Sequence, residues 1–249
     1  MSYNPFSLEG KTILVTGASS GIGQATAIEC SKMGACVIAT ARNQKRLEQT
    51  MSQLEGQGHQ MLLADLSVED DIFKLLEQIP IVNGMSFNTG MSCIKPVLFY
   101  KESDILAVLQ TNTISAVLLT KLLNKKKKLA NNASLVFTSS IEGPFGTGKG
   151  NGIYGMSKSA LSAFVKTAAL ELGAKGIRCN TINPGMVNTP LIWSGEISEE
   201  QLKLDAQNYP LGRYGEPKEV ALATIYLLSD AAAWITGTEL KIDGGITLA

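Results

Sequence analysis

A glycine-rich turn between an apolar strand and a helix constrains this chain more than any other feature. The run Lys11–Thr16, KTILVT, is apolar and β-branched, which is typical of a buried strand. GASSGIG follows it, and the next residues, QATAIECSKMG, predict a helix that ends at Gly34. Glycine lets the backbone turn tightly, and the first amides of a helix carry partial positive charge. Such a turn at the start of a strand–helix–strand unit favours the binding of a pyrophosphate.

The residues after the second strand bear on which dinucleotide is bound. The glycine spacing from Gly17 to Gly23 is GxxxGxG rather than the GxGxxG of the standard fingerprint. About twenty residues further on, an acidic residue would hold the ribose hydroxyls of NAD. Ala41 and Arg42 stand there instead, and the planar arginine cation suits a 2′-phosphate. The sequence therefore predicts a preference for NADP, with NAD as the alternative if Arg42 is only a solvated loop residue.

Strand-like and helix-like segments alternate along the whole chain of 249 residues. This alternation predicts an α/β fold, a doubly wound parallel sheet with helices on both faces, in a single domain over residues 1–249. A long helix is expected over Lys101–Leu123 and another over Tyr154–Leu172. Further strands are expected at ACVIATA, HQMLLADL, IVNGMSFNTG, ASLVFTSS, IRCNTIN and TELKID.

The composition argues against several classes of protein. The formal net charge is zero, so there is no global electrostatic case for binding nucleic acid or a membrane surface. The four cysteines are scattered and only one histidine is present, so neither a metal site nor a disulfide framework is expected. The N-terminus lacks the pattern of a signal peptide, and no apolar run reaches the ~18 residues that span a bilayer. We expect a cytoplasmic protein.

Tyr154 and Lys158 lie four residues apart at the start of a predicted helix, which places both side chains on one face. A free tyrosine has a pKa of about 10 and is a poor acid or base near neutrality. A lysine cation beside it is expected to lower that pKa. Ser140 ends the apolar run SLVFTS upstream, where its hydroxyl could hold a substrate oxygen. Taken alone, a YxxxK pair is more often a chance occurrence on a helix than a catalytic pair.

With TGASSGIG, SS…YGMSK and NTINPGMVNTP in one order, the chain resembles the short-chain dehydrogenase/reductase family. The resemblance implies a Rossmann-type fold with seven parallel strands, and hydride transfer between a nicotinamide and a carbonyl or alcohol. It also implies that Asn112 holds a water linking the lysine to solvent, although a helical asparagine can instead bond its own backbone. Ser139 is the rival for the serine role. The implied catalytic set is Asn112, Ser140, Tyr154 and Lys158.

The same resemblance implies the cofactor contacts. The stretch that matches the NNAG motif of the family reads FNTG, so Phe87 replaces its first asparagine. Another segment, after the sixth strand, is expected to hold the nicotinamide carboxamide and a nearby phosphate. The expected cofactor-binding residues are Gly17, Ser19, Ser20, Gly21, Ile22, Gly23, Arg42, Asp65, Leu66, Asn88, Gly90, Tyr154, Lys158, Pro184, Gly185, Val187 and Thr189.

Residues 190–210 fall where the family carries a short substrate lid. The lid has Trp193 but few other large apolar groups, so a very bulky, deeply enclosed substrate is not favoured. The glycine-rich loop, residues 143–152, is expected to border the site, either shaping substrate entry or as a tolerated insertion. Candidates for the pocket wall, with ordinary core packing as an equal alternative, are Met91, Cys93 and Met186.

Lysines Lys125–Lys128 precede the fifth strand, and Lys175 precedes the sixth. These cations either complement helix dipoles or, as in the 3-oxoacyl-carrier-protein reductases that the chain resembles, dock an acidic acyl carrier protein. We therefore expect an NADP(H)-dependent oxidoreductase acting on a carbonyl or secondary alcohol, with a 3-oxoacyl thioester among the candidate substrates. A homo-oligomer, dimer or tetramer, is also implied. The alternative is a catalytically silent regulator or scaffold that binds nicotinamide, against which the complete catalytic set argues.

Overall fold

A computed structural model of the protein describes residues 3–193 and 198–249. Its seven parallel strands form one sheet in the order β3-β2-β1-β4-β5-β6-β7, which confirms the predicted fold. The strand order reverses between β1 and β4, and ligands of such sheets bind outside the carboxyl ends of the strands at that point. The strands are β1 (Thr12–Thr16), β2 (Cys36–Ala41), β3 (Gln60–Leu63), β4 (Val82–Phe87), β5 (Leu129–Thr138), β6 (Arg178–Pro184) and β7 (Glu239–Ile242).

Helices cover both faces of the sheet and bury a separate apolar cluster on each. One cluster joins the sheet to α3, α5 and α6, and the other joins it to α1, α2 and α9. In β1, Leu14 belongs to the first cluster while Ile13 and Val15 belong to the second, as expected for a strand buried on both faces. The helices are α1 (Gly21–Lys32), α2 (Gln44–Met51), α3 (Glu69–Gln78), α4 (Glu102–Leu109), α5 (Ser115–Lys125), α6 (Gly152–Leu172), α7 (Pro190–Trp193), α8 (Glu199–Ala206) and α9 (Pro217–Leu228).

The long helix expected over Lys101–Leu123 is present as Glu102–Lys125, but its winding changes partway along. A π-helical turn, Gln110–Ile114, separates α4 from α5. By length and composition Glu102–Lys125 is apolar enough to cross a membrane, although Gln110, Thr111 and Asn112 keep it from being an uninterrupted apolar run of ~18 residues. However, 44% of its apolar window is buried inside this protein, and a core helix passes the same test. The segment is therefore weak support for a membrane span.

The lid region between β6 and α9 holds a small apolar cluster of its own. Tyr209 and Tyr214 pack edge to face with ring centroids 5.4 Å apart, and Leu202 of α8 is buried with them. Met186 is half-buried against the same cluster, so it contributes to apolar packing there. The described residues contain part of the expected lid, whereas residues 194–197 and the side chain of Trp193 lie outside them.

Candidate active site

The glycine turn brings the start of α1 directly against the end of β1. Gly17 and Gly21 have φ values of 63° and 54°, which side chains disfavour. A Cβ on Gly17 would lie 3.0 Å from the Asn88 carbonyl oxygen, and a Cβ on Gly23 would overlap the Gly17 carbonyl oxygen. The first amides of α1 lack partners within the helix, and Ser20, its N-cap, makes no side-chain cap bond. This half-buried turn therefore fits a pyrophosphate.

The segment after β6 passes beside the glycine turn. A Cβ on Gly21 would lie 3.1 Å from Thr189 Cγ2, so the two expected phosphate-binding segments are neighbours. Pro184 and Val187 are buried, and Val187 belongs to the core. Gly185 donates its amide to the Ile242 carbonyl at 3.0 Å. Pro184 and Val187 can thus offer a cofactor main-chain groups more readily than side chains.

The expected adenosine end of the site lies at the carboxyl ends of β2 and β3. Arg42 is largely exposed and its Nη1 lies 3.5 Å from Asp65 Oδ2. Burial raises the pKa of Asp65, but hydrogen bonds from Ser67 and the Arg42 cation outweigh it and hold the pKa below its usual value. A shallow pocket of about 220 Å³ opens here, lined by Arg42, Leu63, Ala64, Asp65 and Asp71.

Leu66 is not on that pocket's lining. Its side chain is 3% exposed and belongs to the core cluster with α3 and α5. Because apolar burial turns the Leu66 side chain inward, only its main chain can meet a cofactor at this edge of the sheet. Ala64 takes the place on the pocket wall instead.

Asn88 ties together the ends of three strands. Its Nδ2 donates to the Thr16 carbonyl at 3.3 Å and to Ser86 Oγ at 3.0 Å, and its Oδ1 accepts from Thr138 Oγ1 at 2.7 Å. This residue positions β1, β4 and β5 around the crevice, while its side chain is occupied by the protein. Phe87, which stands where the family has its first asparagine, is fully buried with its ring 6.2 Å from that of Phe137.

Helix α6 carries Tyr154 and Lys158 on one face, as predicted. Lys158 Nζ lies 5.6 Å from the centroid of the Tyr154 ring and donates to the Thr138 carbonyl at 2.8 Å. Ser140, 8% exposed, is a hydrogen-bond partner of the tyrosine hydroxyl. Its rival Ser139 points into α6, where its hydroxyl donates to the Lys158 carbonyl at 3.1 Å. The geometry brings Ser140, Tyr154 and Lys158 together and leaves Ser139 in a structural role.

Asn112 lies within the π-helical turn and is fully buried. Its Oδ1 accepts from the Met91 amide at 2.8 Å, and its Nδ2 donates to the Met91 carbonyl at 3.0 Å and to Ser157 Oγ at 2.9 Å. The alternative that it bonds its own helix backbone is therefore wrong. Because the amide group is occupied, a water held by Asn112 would bind its main-chain carbonyl. A Cβ on Gly90 would lie 3.5 Å from Asn112 Oδ1 and 3.6 Å from Lys158 Nζ, so these residues are close.

Burial dominates the protonation of the two reactive side chains. Burial raises the pKa of Tyr154 to about 12, the bond with Ser140 lowers it in part, and the charge of Glu142 raises it further. Burial also lowers the pKa of Lys158 to about 8. The pKa of Tyr154 is thus raised, opposite to the lowering expected from Lys158, because burial is its largest cause. Tyr154 is held protonated at neutral pH, as a proton donor must be.

The glycine-rich loop is folded against the site. Gly143 has a φ of 96°, and a Cβ there would lie 2.8 Å from the Gly155 carbonyl carbon in the first turn of α6. Gly150 accepts from the Lys95 amide at 2.9 Å, which joins the loop to the segment after β4. Directly before the loop lies Glu142, whose charge acts on Tyr154 and which the sequence did not single out. The acidic residue in SSIEG, amid small and polar neighbours, was the signal for it.

Comparisons with known proteins agree with this geometry. The family described as Enoyl-(Acyl carrier protein) reductase matches residues 17–247. A tropinone reductase homologue of Arabidopsis thaliana is 33% identical over 250 residues, covering 98% of this chain and 92% of the relative. Senescence-associated protein 13 of the same plant is 34% identical over 251 residues, again 98% of this chain and 92% of its own.

Solved structures give the same result. A short-chain dehydrogenase/reductase family protein superposes with a TM-score of 0.87 at 32% identity, covering 98% of this chain and all of the other. The matching fold, the glycine turn and the convergence of Ser140, Tyr154 and Lys158 all fit a bound nicotinamide dinucleotide. This chain therefore belongs to the short-chain dehydrogenase/reductase family and is an oxidoreductase acting on CH–OH or carbonyl groups.

Proposed function

We propose that this protein is an NADP(H)-dependent reductase of a small carbonyl compound, and oxidises the matching secondary alcohol in reverse. The observation that carries the proposal is the meeting of Ser140, Tyr154 and Lys158 at the carboxyl end of β5, beside the glycine turn. A proton donor and a hydroxyl beside a dinucleotide crevice are the groups that carbonyl reduction requires.

In the proposed mechanism, the Ser140 hydroxyl donates a hydrogen bond to the substrate carbonyl oxygen. The bound nicotinamide supplies the hydride. Tyr154 donates its proton to the oxygen as negative charge develops there, which its raised pKa permits because the phenol is protonated at neutral pH. Lys158 Nζ is fixed by the Thr138 carbonyl, and its remaining protons are available to the nicotinamide ribose and to the tyrosine. Asn112 supports the site by holding the Met91 backbone.

We propose a preference for NADP because the Arg42 cation is exposed at the expected adenosine end of the site. Its guanidinium stands at the edge of the shallow pocket, and Lys45 and Arg46 follow in the first turn of α2. Hydrogen bonds to charged groups contribute about 1.5–3 kcal/mol, so Arg42→Ala should cut kcat/KM with NADPH roughly ten- to a hundredfold. The value with NADH should change little. A wild-type enzyme that favours NADH tenfold, or an Arg42→Ala variant with equal losses for both, would sink this preference.

A free small carbonyl substrate is favoured over a carrier-bound thioester. The relatives named as tropinone reductase homologues support a small ketone. Lys128 donates to the Ile79 carbonyl at 2.6 Å and Lys175 to Asn124 Oδ1 at 2.9 Å, so two of the five expected docking cations have partners in the protein. Lys128 precedes β5, and Tyr154 lies beyond the carboxyl end of that strand. Ten residues of strand span about 30 Å, so within one chain the two residues lie at opposite ends of β5.

A cofactor-oxidation assay tests the function directly. Small ketones, an aldehyde and 3-oxoacyl thioesters, free and carrier-bound, are each supplied with NADPH and with NADH. We expect turnover of small ketones with NADPH. If only carrier-bound thioesters react, and charge reversal at Lys128 and Lys175 raises KM for them alone, the carrier protein becomes the partner. No oxidation of either cofactor with any carbonyl would favour the silent scaffold instead.

We propose that the protein self-associates through an apolar surface around α4. Leu98, Phe99 and Leu106 are 87%, 61% and 56% exposed, which is unusual for three large apolar side chains so close in sequence. Trp234, beyond α9, is fully exposed as a second apolar feature. We expect a dimer or tetramer in sedimentation experiments, and a smaller species for Leu106→Glu. A monomeric wild type would contradict this.

A further inference from the structure

The main chain of Ser140 is held by a side chain from the neighbouring strand. Asn183 Nδ2, near the end of β6, donates to the Ser140 carbonyl oxygen at 2.9 Å. Asn183 is fully buried and Ser140 is 8% exposed, so water cannot readily replace this bond. Because a buried carbonyl that loses its donor costs free energy, the bond constrains where the backbone of Ser140 can lie.

The sequence of β6 explains why a side chain is used. The chain after β5 continues alongside β6, since the Ser139 amide donates to the Ile182 carbonyl at 2.8 Å. Further on, the Ile141 amide donates to the Pro184 carbonyl at 3.0 Å. Proline has no amide hydrogen, so the main chain of β6 cannot donate in return at Pro184. The Asn183 side chain supplies a donor where the main chain has none.

Thr181 fixes the orientation of the Asn183 amide. Its hydroxyl donates to Asn183 Oδ1 at 2.8 Å, and Thr181 is also fully buried. A carbonyl oxygen can only accept, so the atom of the amide that faces the Ser140 carbonyl must be the nitrogen. The three residues therefore form a directed chain of hydrogen bonds from β6 to Ser140.

The Ser140 hydroxyl has an anchor of its own. The Glu142 amide donates to Ser140 Oγ at 3.1 Å, which occupies one acceptor position and leaves the hydroxyl hydrogen free to donate. Asn183 thus fixes the main chain of this residue, and the Glu142 amide fixes its side chain. A displacement of about 1 Å in a group that meets the substrate can lower the rate about a hundredfold.

We propose that Asn183 is a positioning residue, which holds the Ser140 hydroxyl where the substrate carbonyl oxygen can accept from it. The inference rests on the proposed function, because Asn183 acts through Ser140 rather than on the substrate. Without the Asn183 amide, a bound ketone meets Tyr154 with the serine out of place. The loss therefore falls on turnover of the ketone and not on the affinity for the cofactor.

A purely structural role is the competing explanation, since the same bond joins β6 to the chain after β5. A double-mutant cycle separates the two, with Asn183→Leu made in the wild type and in Ser140→Ala. A residue that acts through the Ser140 hydroxyl has nothing to position once that hydroxyl is gone. The loss of a structural tie, by contrast, lowers activity in both backgrounds.

The variants are chosen to change little else. Leucine has nearly the size of asparagine but no amide, and the Thr181 hydroxyl keeps a second acceptor, the Thr238 carbonyl at 3.4 Å. Asn83→Leu is the matched control. Asn83 Oδ1 accepts from the Thr12 amide at 2.9 Å near the amino ends of β1 and β4, so this variant also removes an asparagine bond between neighbouring strands, away from the site.

Each protein is assayed with cyclohexanone and NADPH, its NADPH affinity is measured by fluorescence titration, and urea unfolding shows that it is folded. We expect Asn183→Leu to lower kcat/KM roughly ten- to a hundredfold in the wild type, and no more than about twofold in Ser140→Ala. NADPH affinity, and kcat/KM of Asn83→Leu, should change by no more than about twofold. Equal losses in the two backgrounds, or an equal loss in Asn83→Leu, overturn the proposal.

A second variant serves if Asn183→Leu does not fold. Thr181→Val keeps the shape of the side chain in β6 and removes the hydroxyl that orients the Asn183 amide. We expect a smaller loss in kcat/KM, again present only with the Ser140 hydroxyl. A kcat/KM equal to that of the wild type, or an equal loss in both backgrounds, then overturns the proposal.

Failure of the proposed function gives a different result. If the wild type reduces no small ketone, the reductase assignment fails, and crystal structures of the wild type and the variant decide the role of Asn183. A Ser140 hydroxyl displaced from hydrogen-bond distance of the Tyr154 hydroxyl supports positioning, and an unmoved one overturns it. If the wild type is active and Ser140→Ala equals it, the positioning role is overturned while the function stands.

Discussion

Replacing Gly143 with alanine tests how firmly the glycine-rich loop is fixed to α6. Gly143 has a φ of 96°, a backbone conformation that other residues rarely adopt. A Cβ there would lie 2.5 Å from Ser159 Oγ and 2.8 Å from the Gly155 carbonyl carbon. Gly146, in the same loop, would have nothing within 4 Å of a Cβ, so Gly146→Ala is a matched control.

The cost follows from two effects. The unfavourable backbone conformation costs about 1–3 kcal/mol, and the overlap with α6 adds about 1–3 kcal/mol if the surroundings stay in place. Gly143→Ala should therefore lower the free energy of unfolding by roughly 2–6 kcal/mol. For a chain of this size that corresponds to a fall in Tm of roughly 4–24 °C. Gly146→Ala should change the free energy by no more than about 0.5 kcal/mol.

Urea unfolding, followed by circular dichroism, measures the stability of both variants, and kcat/KM for a ketone substrate measures the site. If the loop instead moves away from α6 and so avoids the overlap, we expect kcat/KM to fall rather than the stability. The reason is that Ser140 and Glu142 lie directly before the loop. The reasoning is refuted if Gly143→Ala matches Gly146→Ala in both stability and kcat/KM.

Three further predictions concern the ionisable groups of the site. Tyr154→Phe should bind NADPH as the wild type does, by fluorescence titration, and lose roughly 10²–10⁴ in kcat, so retained turnover would contradict its role as proton donor. The pKa of Lys158 is lowered to about 8, so the unfolded chain holds an extra proton between about pH 8 and its usual value of 10.5. Wild-type stability should therefore rise over that interval relative to Lys158→Met, and parallel pH curves from urea unfolding would argue against a buried cation. Because burial and then the Glu142 charge raise the pKa of Tyr154, Glu142→Gln should move the pH profile of alcohol oxidation to lower pH. An unchanged pH profile would mean that the Glu142 carboxylate lies too far from the Tyr154 hydroxyl to affect its pKa.

Local sequence patterns were enough to predict the sheet. β1 and β2 are short apolar runs between turn signals, and Ile13, Leu14 and Val15 show the continuous apolar pattern of a strand buried on both faces. The spacing of Tyr154 and Lys158 was enough to place them on one helix face. These features depend only on residues close together in the chain, so the sequence reports them directly.

Features that depend on tertiary packing could not be predicted from the sequence in this way. Nothing in QTNTI marks a π-helical turn, and the bond between Asn112 and the Met91 backbone joins segments 21 residues apart. The direction of the Tyr154 pKa shift depends on how much water the folded protein excludes, which a YxxxK spacing does not encode. The inward direction of the Leu66 side chain is a further example, because its burial is set by α3 and α5.

The π-helical turn makes the number of residues in its helix matter as much as their identity. Such a turn holds one residue more than regular α-helical winding needs, and one residue corresponds to a rotation of about 100°. The extra residue therefore rotates the face of α4 relative to that of α5. Leu119 and Leu123 of α5 lie in the core, whereas Leu106 of α4 is exposed. An in-frame deletion of a single codon within 110–114 would restore regular winding and turn one half away from its neighbours. In genetic terms, this helix should tolerate many single substitutions better than the loss of one residue.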